Sequence, residues 1–321
     1  MKRTPMALAA SLMTLATLTG CGTPALATLS TRPLAPADRS LQALSGPGRA
    51  SGWVTPPARS TLVTHRTFRS AAARAEVSYH LYLPPAYQTQ RTRRFPVLYW
   101  LHGTDGGLSG VPKLAARFDA AIRAGQMPPT IVVFPNGRVA GMWVDSKDGA
   151  TPVETMLVRE LLPLIDRTCR TIASRDGRIL EGFSMGGYGA GRVGLSHPDK
   201  FGRVSMLAGG PLDLAFEGPR AQANPEGRDR ILKAVYGGDL SWFQAVSPWR
   251  IAQRQARVVA GRTRLRVAVG EADFTFASNA AFHDHLQALR IPHQYTTHPG
   301  VKHDTMALLE ALGEAGWAFY R

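Results

Sequence analysis

The chain predicts an α/β fold, a mostly parallel central sheet covered by helices on both faces. Short apolar runs of strand length alternate with amphipathic stretches of helical period, and the loops between them are short. One run, 95–101, is apolar almost throughout. That suits a strand buried on both faces better than one with a wet side. With 321 residues, 44% hydrophobic and 19% charged, the balance is that of a globular protein.

The first segment reads as targeting rather than structure. Lys2 and Arg3 precede a short apolar stretch over 6–18, too short to span a bilayer as a stable helix. Leu18-Thr19-Gly20-Cys21 has the form of a bacterial lipobox. It implies that 1–20 is a lipoprotein-type signal peptide, with lipid attached at the Cys21 thiol. Each buried acyl methylene would contribute roughly 0.8 kcal/mol to membrane anchoring. Ala25-Leu26-Ala27 offers ordinary signal cleavage instead. Either route places the protein in the cell envelope or outside the cell. Residues 21–60 are rich in Pro, Gly, Ala, Ser and Thr, and Pro33, Pro36, Pro47, Pro56 and Pro57 interrupt any period. They read as a flexible tether, the alternative being an arm packed on the domain over 41–54. The folded domain is then expected at 61–321, one α/β unit in size.

Within it, 61–69 and 76–83 predict an opening antiparallel pair, 95–101 a buried strand, and 115–124 a helix. A strand over 130–134 ends at Pro135-Asn136-Gly137. Leu157, Leu161, Leu162 and Ile165 recur at helical spacing, so 153–166 predicts an amphipathic helix. Further strands are expected at 178–181, 203–207, 264–269 and 294–297, and helices at 277–289 and 306–319. In such sheets ligands bind beyond the carboxyl ends of the strands.

The chemistry-bearing motif is Gly182-Phe183-Ser184-Met185-Gly186. It follows a strand and opens a small-residue helix, the context of a nucleophile elbow. There a serine sits on a sharp turn with its Oγ projecting from the sheet edge. A serine hydroxyl needs a neighbouring base, and the base needs an acid to orient it. This elbow resembles that of α/β-hydrolases, where the chain order is serine, then acid, then histidine, so the partners are expected downstream. The strand at 264–269 ends in Gly270-Glu271-Ala272-Asp273. Asp273 is preferred as the acid because it lies further past the strand end; Glu271 and Asp213 are alternatives. Of nine histidines, His298 and His303 lie in the loop after the last strand. His303 is preferred because it lies at the far end of that loop. Asp304 or Thr305 is expected to cap the helix that follows. Backbone N–H groups of Met185 and of Gly103 or Thr104, in the glycine-rich loop after 95–101, are placed to hold an oxyanion. His102, Trp143 and Trp242 are candidate substrate contacts, and 211–249 is long enough to cap the site.

Leu101-His102-Gly103, the Gly-Phe-Ser-Met-Gly-Gly-Tyr-Gly-Ala run at 182–190, and Ser196-His197-Pro198-Asp199-Lys200-Phe201-Gly202 together resemble the esterase D type of serine hydrolase. So do Glu160-Leu161-Leu162-Pro163-Leu164-Ile165-Asp166 and Gly270-Glu271-Ala272-Asp273. That group includes feruloyl esterases, S-formylglutathione hydrolases, enterochelin esterases and mycolyltransferases. The resemblance spans about 75–310. It implies an α/β-hydrolase fold with Ser184, Asp273 and His303 in the triad positions, acting on a small-molecule or carbohydrate-linked ester. Lys302, directly before the histidine, departs from the smaller residue expected there. An acyltransferase using the same triad and a non-catalytic surface lipoprotein remain as alternatives.

Other classes fit less well. Net charge is +15, but the Lys and Arg are scattered, without a basic helix or stacked-aromatic sheet, so nucleic acid is not an expected partner. Two cysteines, Cys21 and Cys169, cannot build a disulfide framework or a cysteine metal site. No metal ion or organic cofactor is expected.

Overall fold

The computed structural model describes residues 51–104, 110–210 and 225–321. The signal segment, residues 21–50 of the expected tether, Asp213 and the 211–224 part of the expected cap lie outside them. Eight strands form one sheet: β1 (Val63–Ser70), β2 (Ala75–Tyr82), β3 (Val97–Leu101), β4 (Ile131–Pro135), β5 (Arg178–Phe183), β6 (Arg203–Leu207), β7 (Arg264–Gly270) and β8 (His293–His298). Their spatial order is β1-β2-β4-β3-β5-β6-β7-β8. β1 and β2 pair antiparallel, and β2 meets β4 antiparallel. Every pairing from β4 to β8 is parallel. The expected mostly parallel α/β sheet is therefore present.

This order reverses at β3 and β5. The chain leaves β3 toward β4 on one side and leaves β5 toward β6 on the other. Such a switch point opens a crevice at the carboxyl ends of the two strands. Leu101, the last residue of β3, pairs with Gly182, one residue before the end of β5, so their following loops emerge together.

Strand period two sorts side chains onto the two faces. Tyr99 and Leu101 of β3 enter one buried cluster with Leu180 and Val267. Leu98 and Trp100 enter the other, with Ile179, Phe118 and Tyr320. Helix Val111–Arg123 starts earlier than expected because Pro112 suits its first turn, where no N–H is needed. The expected helix at 153–166 forms with a π-helical turn over Met156–Leu161, and its four predicted apolar residues are all buried, as is Met156. The terminal helix expected as one piece breaks into Thr305–Ala311 and Gly313–Ala318, because Gly313 takes φ 51°. Asp304 caps the first of these, its side chain accepting from the Ala307 N–H at 2.8 Å.

The domain boundary expected at residue 60 requires correction. Trp53 is only 2% exposed and joins the core. The Asn136 side-chain amide donates to the Gly52 carbonyl at 3.0 Å, the Thr55 N–H donates to Ser78 Oγ at 2.9 Å, and the Ala58 N–H donates to His80 Nε2 at 2.9 Å. Prolines suggested a tether, but one indole carries enough apolar area to hold this stretch on the sheet. Residues 51–60 thus belong to the folded body.

One buried polar rung crosses the sheet. Glu181, Ser205 and Arg266 are register partners on β5, β6 and β7. Glu181 accepts from Arg266 Nη2 at 2.6 Å and from Ser205 Oγ at 2.8 Å, and Tyr320 donates to its other oxygen at 2.6 Å. Arg266 also donates to the Gly316 carbonyl at 3.0 Å and lies 4.2 Å from the Phe319 ring centroid. The charges are desolvated but fully partnered, so they lock the C-terminal segment onto the sheet.

Two stability predictions follow from this packing. Arg266→Ala strands the Glu181 carboxylate and should cost about 3–5 kcal/mol in urea unfolding; a loss below about 1 kcal/mol would contradict the locking role. Burial, then the neighbouring His65, depresses His80 from 6.5 to about 4. The fold holds His80 neutral, so its contribution is complete above 6.5 and is lost as pH falls toward 4. The slope should reach about 1.4 kcal/mol per pH unit. His80→Gln keeps an acceptor for the Ala58 N–H and should flatten that slope; an unchanged pH profile would exclude His80 as its source.

Candidate active site

Ser184 sits between β5 and helix Met185–Ser196 with φ 59° and ψ −122°, a conformation that L residues rarely adopt. Its surroundings enforce the bend. The Ser184 N–H donates to the Leu207 carbonyl at 3.0 Å, and the Ser184 carbonyl accepts from Tyr188 at 3.0 Å and Gly210 at 3.1 Å. A Cβ on Gly186 would lie 1.9 Å from the Leu101 carbonyl oxygen, and one on Gly182 would lie 2.4 Å from the Gly186 oxygen. The two glycines let strand, turn and helix close to contact distance.

Three residues from distant parts of the chain meet here. His303 Nε2 lies 2.9 Å from Ser184 Oγ. His303 Nδ1 lies 2.9 and 2.8 Å from the two Asp273 oxygens. A carboxylate can only accept, so the ring proton sits on Nδ1 and Nε2 is free to accept from the serine hydroxyl. Asp273 is 4% exposed and also accepts from the Thr275 N–H at 2.7 Å, which fixes its plane. Glu271 lies on the surface, where Thr297 donates to it at 2.8 Å. His298 remains at the end of β8. Lys302 is exposed. The geometry thus joins Ser184, His303 and Asp273 and leaves Glu271 and His298 outside.

The β3 loop approaches the serine from the other side of the switch point. A Cβ on Gly103 would lie 3.5 Å from Ser184 Cβ and 4.0 Å from its Oγ, so this backbone runs beside the hydroxyl. Thr104 follows it at intermediate exposure. Met185 is the first residue of the helix, so its N–H is one of the terminal donors without an intrahelical partner. His102 shapes the loop. It accepts from the Gly137 N–H at 3.0 Å through Nε2, so its Nδ1 donates to the Gly103 carbonyl at 2.7 Å.

Two candidate substrate contacts have other places. Trp143 is fully buried, donates from Nε1 to the His102 carbonyl at 3.1 Å, and packs its ring 5.0 Å from that imidazole. It supports the loop from beneath rather than walling a pocket, since Gly137 and Gly189 leave room for its ring. Trp242 lies against Tyr236, 5.6 Å between centroids, in a cluster with Phe243. His102 does line a cavity of about 290 Å³ together with Trp100, Gly103, Leu114, Phe183 and Met306.

The elbow helix is tied to the Trp143 loop by a buried ion pair. Arg192 donates to Glu154 and to the Trp143 carbonyl, the latter at 3.3 Å, and His197 Nε2 lies 2.8 Å from Glu154. Burial would raise the Glu154 carboxyl, but the His197 hydrogen bond and the Arg192 charge outweigh it and hold it at about 2. The sequence reading also missed two rings. Phe183 and Phe274 flank the His303 imidazole, with centroids 4.6 and 4.3 Å away. Phe183 adjoins the serine in the motif and Phe274 adjoins the acid, which is the local signal that could have found them.

Comparison with known proteins places the chain in a family. The family model described as "Putative esterase" matches residues 70–313. An esterase of Mycobacterium tuberculosis is 35% identical over 147 residues, covering 44% of this chain and 31% of that protein. An endo-1,4-beta-xylanase/feruloyl esterase of Xylanibacter ruminicola is 30% identical over 188 residues, 53% of this chain and 26% of that protein. The chain thus spans under a third of the length of these relatives. Among solved structures, a ferulic acid esterase superposes with TM-score 0.65 at 23% identity, covering 81% of this chain and 97% of its own. An S-formylglutathione hydrolase from Staphylococcus aureus gives TM-score 0.63 at 20% identity, covering 81% and 98%. These two share the fold. With the family model spanning residues 70–313, most of the domain, the chain belongs to the esterase family.

Proposed function

We propose that the protein is a serine hydrolase of carboxylic esters that works through an acyl-enzyme. The observation that carries this reading is the hydrogen-bonded series from Ser184 Oγ through His303 to Asp273. Ser184 Oγ attacks the ester carbonyl while His303 Nε2 takes its proton. The oxyanion is held by the N–H groups of Met185 and of Gly103 or Thr104. Asp273 keeps the Nδ1 tautomer and stabilises the imidazolium. His303 then returns the proton to the departing alcohol oxygen. Water, deprotonated by the same imidazole, releases the acid and restores Ser184. Removing one oxyanion donor typically costs about 10²–10³ in rate.

The substrate is a small-molecule or carbohydrate-linked ester. The names of the relatives, one of which joins a xylanase to a feruloyl esterase, support carbohydrate-linked aromatic acids as the first esters to try. The Leu18-Thr19-Gly20-Cys21 sequence supports export and lipid anchoring at Cys21, with the domain held at the envelope. No helix among the described residues is long and apolar enough to cross a membrane.

Ser184→Ala should lower p-nitrophenyl acetate turnover by about 10⁴ or more, with the fold intact by circular dichroism. Activity within about tenfold of the parent would refute the assignment. Cys21→Ala should move the full-length protein from the membrane to the soluble fraction of an expressing bacterium. Unchanged membrane association would rule out lipidation at that thiol.

A further inference from the structure

Among the described residues Phe274 is the most exposed large apolar side chain, at 59%, ahead of Val54, Val258 and Ile172 at 45%, 42% and 39%. Single exposed apolar residues are ordinary and need no explanation. This one differs by its neighbours. It follows Asp273, which is 4% exposed, and its ring lies 4.3 Å from the His303 imidazole at an interplanar angle of 44°. Phe183 lies 4.6 Å from the same imidazole, centroid to centroid, and is buried at 7% exposure. The base is therefore flanked by one buried ring and one open to solvent.

The chemistry of ester cleavage says what the open ring meets. His303 Nε2 takes the serine proton and must hand it to the oxygen of the departing alcohol. That oxygen therefore lies at Nε2 during acylation, and the rest of the alcohol extends beyond it. The acyl carbon is bonded to Ser184 and its oxygen points at the backbone donors, so it is the alcohol side of the ester that meets the His303 ring. Resting on the ester-hydrolase reading, we infer that Phe274 is a specificity-determining residue that receives the alcohol portion of the ester. It favours alcohols with a planar or apolar face, such as an aryl group or the CH face of a sugar ring. The contact forms at an aromatic face, where offset or edge packing of a second ring is favourable.

The test separates the two halves of the substrate. The first series holds the acyl group as acetyl and varies the alcohol across ethyl, cyclohexyl, phenyl and 1-naphthyl acetates. The second holds p-nitrophenol and varies the acyl chain from acetate to hexanoate. kcat/KM is measured for the parent, Phe274→Ala and Phe274→Tyr, since it reports the acylation step. The ratio of variant to parent cancels the differing leaving-group reactivities. Phe274→Ala should lose roughly tenfold on the ring-bearing acetates and less than about twofold on ethyl acetate, a contact-sized effect. Across the p-nitrophenyl series its loss should be uniform. Phe274→Tyr should restore the parent pattern, and the pH midpoints of kcat/KM should not move. Equal loss on all four acetates, loss that grows with acyl length, or a shifted pH midpoint would overturn the assignment. The last two would instead make Phe274 an acyl contact or a positioning residue for His303. A parent that cleaves no ester in either series would defeat the hydrolase reading itself, whereas an active parent with an indifferent variant defeats only this one.

Discussion

The backbone at Ser184 is held at φ 59° and ψ −122°, and this bend organises much of the molecule around it. A non-glycine residue there costs of order 1–3 kcal/mol and persists only where its surroundings over-determine it. They do so from three directions. Leu207 on β6 receives the Ser184 N–H, Tyr188 and Gly210 bind its carbonyl, and the Leu101 carbonyl occupies the space where a Gly186 side chain would be. The strain is thus distributed over β3, β5, β6 and the elbow helix. Its result is a hydroxyl standing clear of the sheet, where an imidazole from the far end of the chain can reach it.

The same logic explains why the supports around the site are buried and polar. Loops at strand ends carry unpaired backbone groups, and a loop that must keep a fixed shape needs partners for them. His102 partners Gly137 and Gly103, Trp143 partners the His102 carbonyl, and Arg192 ties the elbow helix to the Trp143 carbonyl and to Glu154. On the other side, Glu181, Ser205 and Arg266 hold the rung beneath the elbow and clasp the C-terminal segment that follows His303. Each network fixes a segment that contributes one group to the crevice.

Much of this was legible in the sequence, for local reasons. The glycine spacing around Ser184, the carboxylate past the end of β7 and the histidine in the loop after β8 are each set by short-range rules, and the chain order of the three is the one usual for the α/β-hydrolase fold. The apolar runs marked the parallel strands because burial on both faces leaves no room for alternation. What was not legible depends on contacts between distant residues. Trp143 read as a pocket wall because nothing in its neighbourhood reveals that Gly137 and Gly189, far apart in the chain, vacate space for it in the core. Residues 51–60 read as tether because prolines dominate locally, while the burial of Trp53 depends on the sheet. The Glu181–Arg266 pair is separated by 85 positions and declared itself only through register. Phe274 was overlooked because a ring beside an acid is unremarkable until the imidazole packs on it.

The central claim is that the Ser184 hydroxyl is made nucleophilic by His303. A fluorophosphonate modifies a serine only when its oxygen is activated, and the adduct can be located by peptide mass spectrometry. The account predicts one phosphonyl group per chain, on Ser184, formed by the parent and absent from His303→Ala. No adduct on the folded parent, an adduct on another residue, or equal labelling of the His303→Ala variant would contradict it.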